Sequence, residues 1–390
     1  MFASPSEVLS FDSSVFAQIL DGTDMAAQSE LARQLSKIYI DPATTPEERQ
    51  QMLPVFYRLA QEGETEVRTV LADELAHAPS LPADLIFAIV SDEDDIALPF
   101  LLSAASIHPH ECAVIFRVGE ELRQKALATR SDLAAETIDL IANEGPLGVA
   151  IVLLDNDSVK LSGGNYHALY TRLGGSAELA KRMLARVDLP FDIRILQARR
   201  AASRLRQMMA AKGWVPANDA REICAQAEDN AVMQVLTEVH ADDRADAMAF
   251  LAAKNLLTPA FIVRAAATGQ MTIVEASLAH LAGISGREAA ATMYSHHANA
   301  LKSLFRRSGL PQGCYGFLRA ACDVVIEIQE EGLEITSTEF GGRVLEALMT
   351  RYEAMSPTDR AKQIDYLGRF GEERIRKVAK RVKVDFLRAA

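Results

Sequence analysis

The sequence predicts an all-α fold: a solenoid of stacked helical hairpins that ends in a C-terminal helical segment. Three observations predict it. First, one phrase recurs. Leu81-Pro82-Ala83-Asp84 and the apolar run behind it are echoed at Leu133-Ala134-Ala135-Glu136, Leu189-Pro190-Phe191-Asp192 and Leu257-Thr258-Pro259. Proline fits the first turn of a helix, and an early carboxylate (Asp84, Glu136, Asp192) suits the positive end of the helix dipole. A helix start that returns at intervals of ~50 to 70 residues points to stacked helical units rather than to one enzyme core. Second, 49% of the residues are hydrophobic, which excludes a disordered chain, while stretches alternating apolar and polar residues are few. Third, glycines break the helical stretches at Gly145, Gly163-Gly164 and Gly174-Gly175.

Taken in order, residues 1–60 read as an N-terminal cap of two or three helices, broken between Asp41 and Pro46. Residues 61–212 read as the repeats. Glu66-Val67-Arg68 opens a helix with an apolar stripe of Val67, Val70, Leu71 and Leu75, and Leu81–Val90 follows it. Asp94-Asp95-Ile96-Ala97 repeats that opening; further units run over Glu120–Leu154 and Gly174–Met209. Lys212-Gly213-Trp214-Val215-Pro216 is strong punctuation, so a boundary is expected there. Residues 213–311 form a divergent repeat segment, with a unit beginning near Asn230 and closed by Gly309-Leu310-Pro311. Residues 312–390 are C-terminal helices, the last of them basic and amphipathic through Ile375, Val378, Ala379, Val382 and Phe386. A terminal cap of the solenoid is the simplest role for that helix.

The formal net charge is −12, unevenly spread: seven basic residues face three acids between Glu372 and Ala390. An acidic body repels nucleic acid and anionic membrane, and the basic tail is the one place that could hold either. The start lacks a basic leader, and the longest uncharged aliphatic run, Gly148–Leu154, is too short to cross a bilayer. Scattered Cys112, Cys224, Cys314 and Cys322 suit reduced, buried thiols, so a cytoplasmic location is expected.

Acid-aliphatic helix openings followed by Leu-x-x-x-Leu/Ile helices resemble HEAT-type repeats. The stretch Leu278-Ala279-His280-Leu281-Ala282-Gly283 through Leu304-Phe305-Arg306-Arg307-Ser308-Gly309-Leu310-Pro311 resembles an alphaproteobacterial domain-of-unknown-function family with HEAT-like helices. The resemblance implies a HEAT-like α-solenoid over about residues 60–315 and brings no activity with it.

The candidate chemistry is sparse. His108-Pro109-His110-Glu111-Cys112 offers two imidazoles and a thiol for zinc, but a fourth ligand must come from elsewhere, and polar residues belong at a helix start in any case. His296-His297 are neighbours whose rings diverge on a helix. Asp92-Glu93-Asp94-Asp95 and Asp155-Asn156-Asp157 lack the spacing and central glycine of a calcium loop. No phosphate loop, dinucleotide fingerprint, HExxH or GxSxG occurs, so neither a cofactor nor enzymatic activity is expected. Glu275–Thr292, aligned on Gly283, partly fits a helix-turn-helix. Small Ala289 and Thr292 depart from that pattern, and two packed helices join in the same way. Ser285 with Glu288 predicts a capping box.

Two arginine groups remain: Arg194, Arg199, Arg200, Arg204 and Arg206 on one helical stretch, and Arg306-Arg307. Pairing with neighbouring acids is the ordinary fate of such residues; a basic stripe that grips an acidic peptide is the functional one. The function expected is a non-enzymatic adaptor or regulator that binds a partner protein through Arg194, Arg199, Arg200, Arg204, Arg306 and Arg307. The alternative is a DNA-associated regulator that uses residues 275–292 and contacts nucleic acid through Arg287, Arg374, Lys377, Lys380 and Arg381.

Overall fold

The computed structural model describes residues 19–353 apart from 296 and 335, together with 356. The described secondary structure is helical, with no strand among the described residues. The chain divides between Leu189 and Pro190 into two compact units.

In the first unit, helices α1 (Met25–Ile40) and α2 (Pro46–Glu62) are followed by α3 (Thr65–Leu75), α4 (Ala83–Val90), α5 (Asp94–Ser103) and α6 (Pro109–Val118). Next come α7 (Glu121–Thr129), α8 (Ala135–Glu144), α9 (Leu147–Asp155), α10 (Gly163–Leu173) and α11 (Ala177–Ala185). Odd-numbered helices pack on one another in succession, and so do α2, α4, α6, α8 and α10. The result is a two-layered stack of helix pairs. Its core is a row of aliphatics, among them Val67, Leu71, Leu75, Ile96, Leu127, Val149 and Leu153 in one layer, and Leu85, Ile89, Ile115, Ile141 and Leu169 in the other.

The repeat is shorter than the sequence phrase suggests. Second-layer helices start at Ala83, Pro109, Ala135 and Gly163, and the next helix of the chain starts at Phe191. The period is therefore about 27 residues, and Leu81, Leu133 and Leu189 mark every other unit. The intermediate copies are Ile107-His108-Pro109 and Leu161-Ser162-Gly163, which keep the aliphatic residue and the helix start but lack its proline or acid in the same place. Ser162 caps its helix by accepting from the Asn165 N–H at 3.2 Å, and Asn165 Oδ1 accepts from the Ser162 N–H at 2.8 Å. Asp84, Glu136 and Asp192 all lie in first turns, as the helix-dipole argument requires.

A ladder of side chains stitches each unit to the one before. Arg130 donates to the carbonyls of Leu101 (2.6 Å) and Ala104 (2.8 Å). Asn156 donates to those of Ala128 (3.0 Å) and Arg130 (2.8 Å). Arg186 donates to those of Asn156 (3.0 Å) and Val159 (2.7 Å). These carbonyls lie at helix ends and in the turns after them, where no intrahelical donor remains, and the long side chains satisfy them.

The second unit begins with α12 (Phe191–Lys212) and α13 (Ala217–Glu238), an antiparallel pair of 22 residues each, hence ~33 Å long. Lys212-Gly213, expected as a segment boundary, is the tip of this hairpin, with Gly213 at φ +63° closing α12. Asn230, expected near the start of a unit, lies inside α13. After it come α14 (Arg244–Ala253), α15 (Pro259–Ala267), α16 (Met271–Ala282), α17 (Gly286–Met293), α18 (Ala298–Arg307), α19 (Tyr315–Glu331) and α20 (Ser337–Glu353). Helix α15 is buried from Phe261 to Ala267, Arg264 included. Around it Phe261, Ile262, Val274, Leu278, Phe305, Phe317 and Leu318 form one core. Gly269, at φ +78°, follows α15 in a turn where a Cβ would stand 3.2 Å from the Phe340 ring, so conformation and space both call for glycine.

Candidate functional site

The candidate site is the far half of the α12–α13 hairpin. Its near half belongs to the core, through Ile195, Val232, Met233 and Leu236. Two ion pairs cross between the helices there, Arg194 to Glu238 at 2.8 Å and Arg199 to Glu228 at 2.9 Å. Beyond Arg199 the helices hold each other through small or soft residues: Ala202, Ala220 and Cys224 are buried, and Cys224 Sγ lies 4.0 Å from Met209 Sδ.

On the outside of the same stretch the pattern reverses. Leu205 is 38% exposed, Met208 46%, Ile223 47% and Trp214, the only tryptophan of the chain, 62%. Ala201, Leu205, Met208 and Lys212 stand at i, i+4, i+7 and i+11 and share one face of α12. Arg204 and Arg206 are exposed beside them, and Arg200 is half-buried. Tryptophan, methionine and arginine, all present on this outer stretch, are residue types enriched at protein–protein interfaces.

The other residues singled out from the sequence are placed as follows. Arg307 donates to the Ala282 carbonyl at 3.1 Å and so closes the end of α16; its neighbour Arg306 is exposed. Neither is brought near the α12 stripe by any contact between α12 and α18 of the kind that joins neighbouring helices. In Glu275–Thr292, Gly283 turns the chain at φ +64° and Ser285 Oγ accepts from the Glu288 N–H at 3.2 Å. Ala289 and Met293 bury the inner face of an α17 only eight residues long, while Arg287 is exposed next to Glu288. Ala289 therefore locks the second helix despite its size. Arg374, Lys377, Lys380 and Arg381 lie outside the described residues.

The acidic and histidine motifs are accounted for by the repeat. Asp92 accepts from Arg68 at 2.7 and 3.0 Å, and Asp94 pairs with Arg123 at 3.1 Å. Arg123 also donates to the carbonyls of Val90 and Asp92. His108 occupies the N-cap of α6, with its N–H donating to Glu111 at 3.2 Å. Among the described residues no group of three His, Cys, Asp or Glu side chains is placed to hold a metal ion. Cys112 is buried, and burial raises its thiol pKa; burial pushes that of Cys322 up to about 12. A protonated buried thiol is a poor nucleophile. All four cysteines, buried in the structure, should therefore react with an Ellman-type reagent far more slowly in the native protein than after denaturation. A thiol titrating stoichiometrically within the mixing time of the native protein would contradict this.

A cavity of about 600 Å³ lies at the turn after α11, lined by Val159, Lys160, Arg182, Arg186 and Asp188 among others. Arg186 is committed to the ladder, Arg182 pairs with Asp155 at 2.8 Å, and Tyr166 donates to Asp188 at 2.6 Å. No helix among the described residues is long and apolar enough to cross a membrane.

The chain belongs to the family described as "uncharacterised protein conserved in bacteria (DUF2336)", whose pattern it matches over residues 96–357. That span runs through the later repeats of the first unit and all the described helices of the second. No curated protein and no solved structure matches the chain.

Proposed function

We propose that the chain is a non-enzymatic adaptor or regulator that holds a partner protein, and that the partner sits on the outer half of the α12–α13 hairpin. The observation that carries this reading is the exposure of Leu205, Met208, Trp214 and Ile223 on a hairpin whose base is fixed in the core. Large apolar side chains exposed together on one hairpin suit an interaction site. The stacked helix pairs of the first unit agree with it, since repeated helical arrays present long surfaces to protein segments. Of the arginines first considered, Arg194 and Arg199 brace the hairpin, and Arg204 and Arg206 stand at its exposed end. Nucleic-acid binding has less support, because α17 is short and carries a single exposed arginine beside a glutamate.

The experiment is capture from the native host's lysate by the tagged full chain, with and without nuclease, using wild type and Leu205→Asp/Met208→Asp. The reading expects a protein retained after nuclease and lost with the double substitution. Retention that collapses with nuclease, or that ignores the substitution, would overturn it.

A further inference from the structure

We propose that the corner where α16, α17 and α18 meet is a docking surface for an acidic protein segment, held by Arg287, Lys302, Arg306 and Arg307. It stands apart from the α12–α13 hairpin, so either surface can fail without the other. The three helices pack on one another. Arg307 donates to the Ala282 carbonyl at 3.1 Å, which draws the end of α18 to the end of α16. Arg287 follows five residues after Ala282, past the Gly283 turn. On α18, Asn299, Lys302, Ser303, Arg306 and Arg307 are exposed at i, i+3, i+4, i+7 and i+8, a polar face without a carboxylate; Leu301, Leu304 and Phe305 are buried behind it. Arg287 is exposed as well, and Arg287, Lys302 and Arg306 make no ion pair among the described residues.

Neighbouring carboxylates leave this charge uncancelled. Residues 276–311 hold four cations against one acid, Glu288, hence +3, in a chain whose net charge is −12. On α16, Glu275 accepts the Tyr294 hydroxyl at 2.5 Å. Helix α18 meets α19 through Phe305 and Tyr315, whose rings lie 5.3 Å apart. The first carboxylate of α19, Asp323, is taken by Arg319 and Arg351, and Glu327, Glu330 and Glu331 lie ~18 Å or more along the helix from Tyr315. Helix chemistry does not explain the cations either. The negative end of the dipole suits Arg306 and Arg307 in the last turn of α18. Arg287, however, stands in the first turn of α17, at the positive end, and Lys302 repeats the charge of Arg306 four residues earlier on one face. Both placements work against helix stability and serve a ligand of opposite sign. The corner extends over about 15 Å of α18. A net-acidic chain repels the uniformly charged backbone of a duplex beyond so small a patch, whereas a short run of glutamates or aspartates meets the patch alone.

The test is fluorescence anisotropy of a labelled peptide rich in glutamate and aspartate, titrated with the full chain; a counterpart carries lysine for every acid. The acidic peptide should bind saturably and weaken as salt rises, and the lysine peptide should not bind. Lys302→Glu/Arg306→Glu should weaken the acidic peptide by about tenfold or more, with helix content by circular dichroism unchanged because both side chains are exposed. Arg287→Glu, on a different helix, should weaken it in the same sense. Leu205→Asp/Met208→Asp should leave it unchanged, which separates this surface from the hairpin. Affinity that survives Lys302→Glu/Arg306→Glu would place the peptide elsewhere, on the basic residues 372–390 for one, and overturn the inference. Equal binding of both peptides, or no saturable binding of the acidic one, would overturn it too. A labelled DNA duplex that binds more tightly than the acidic peptide, and is lost with the same substitutions, would assign the corner to nucleic acid instead. Any of these failures leaves the hairpin reading standing, since lysate capture through Leu205 and Met208 is a separate measurement.

Discussion

Arg186→Ala should lower the stability of the first unit by about 3 to 5 kcal/mol, the cost of removing one partner from a buried charged network. The Arg186 side chain is 9% exposed and engages Asp188 at 2.9 and 3.0 Å, the Tyr166 hydroxyl at 3.0 Å and the carbonyls of Asn156 and Val159. Removing it takes the guanidinium donors from the carbonyls of Asn156 and Val159 and leaves Asp188 to weaker partners such as the Tyr166 hydroxyl and the Leu161 N–H. Urea unfolding followed by circular dichroism measures the loss; a change below about 1 kcal/mol would place Arg186 among weakly coupled surface pairs.

The same network sets a pH dependence. Burial alone would raise Asp188, but hydrogen bonds from Arg186 and Tyr166 and the Arg186 charge outweigh it and bring its pKa down to about 2. The folded-state value therefore lies below the ordinary 3.8, so the contribution is fully present above that value and is lost as pH falls through about 2. It amounts to roughly 2 kcal/mol. Asp188→Asn should flatten the acid limb of the stability profile in that window. Tyr166 responds at the other end: burial, then its hydrogen bond to Asp188, raises its pKa. Stability associated with the neutral phenol is present below the ordinary 10.0 and declines as pH rises beyond it.

The second large effect lies at the base of the hairpin. Asp229→Ala should cost about 3 to 5 kcal/mol, because Asp229 on α13 pairs with Arg264, whose side chain is 8% exposed on the buried helix α15. The substitution leaves a guanidinium in the core without this carboxylate and loosens the hairpin's seat. Arg264→Met/Asp229→Leu should recover much of the loss, since apolar side chains of similar volume can replace a buried pair. If the double variant were as unstable as Asp229→Ala, packing rather than the charge would be the cause.

Much of the fold was legible from helix starts. Proline or an acid near Ala83, Ala135 and Phe191 marked true N-termini, because both act through local backbone chemistry. The halved period was hidden at Ile107 and Leu161, where His108 and Ser162 carry out the same function with other residues. At His108-Pro109-His110-Glu111-Cys112 the proline and polar residues of a helix start were legible in the sequence, and the structure puts His108 at the N-cap of α6. The site was harder to read. Ala201, Leu205 and Met208 have the spacing of a core stripe, and nothing in the sequence distinguishes an apolar face that is covered from one that is not. Gly213 and Pro216 around it make Trp214 read as part of a turn. Sequence proximity puts Arg194 and Arg199 with Arg204, whereas the position of α13 pairs the first two with Glu238 and Glu228.

The partner reading is tested most directly by placing a photo-crosslinking side chain at position 205 or 208 of the full-length protein inside its host, and the same group at position 118. Val118 is 83% exposed on α6 of the first unit and serves as a more accessible control. The account predicts a discrete protein adduct from positions 205 and 208, and none of that mass from position 118. Adducts of equal yield and pattern from all three positions, or a discrete product from position 118 alone, would contradict it.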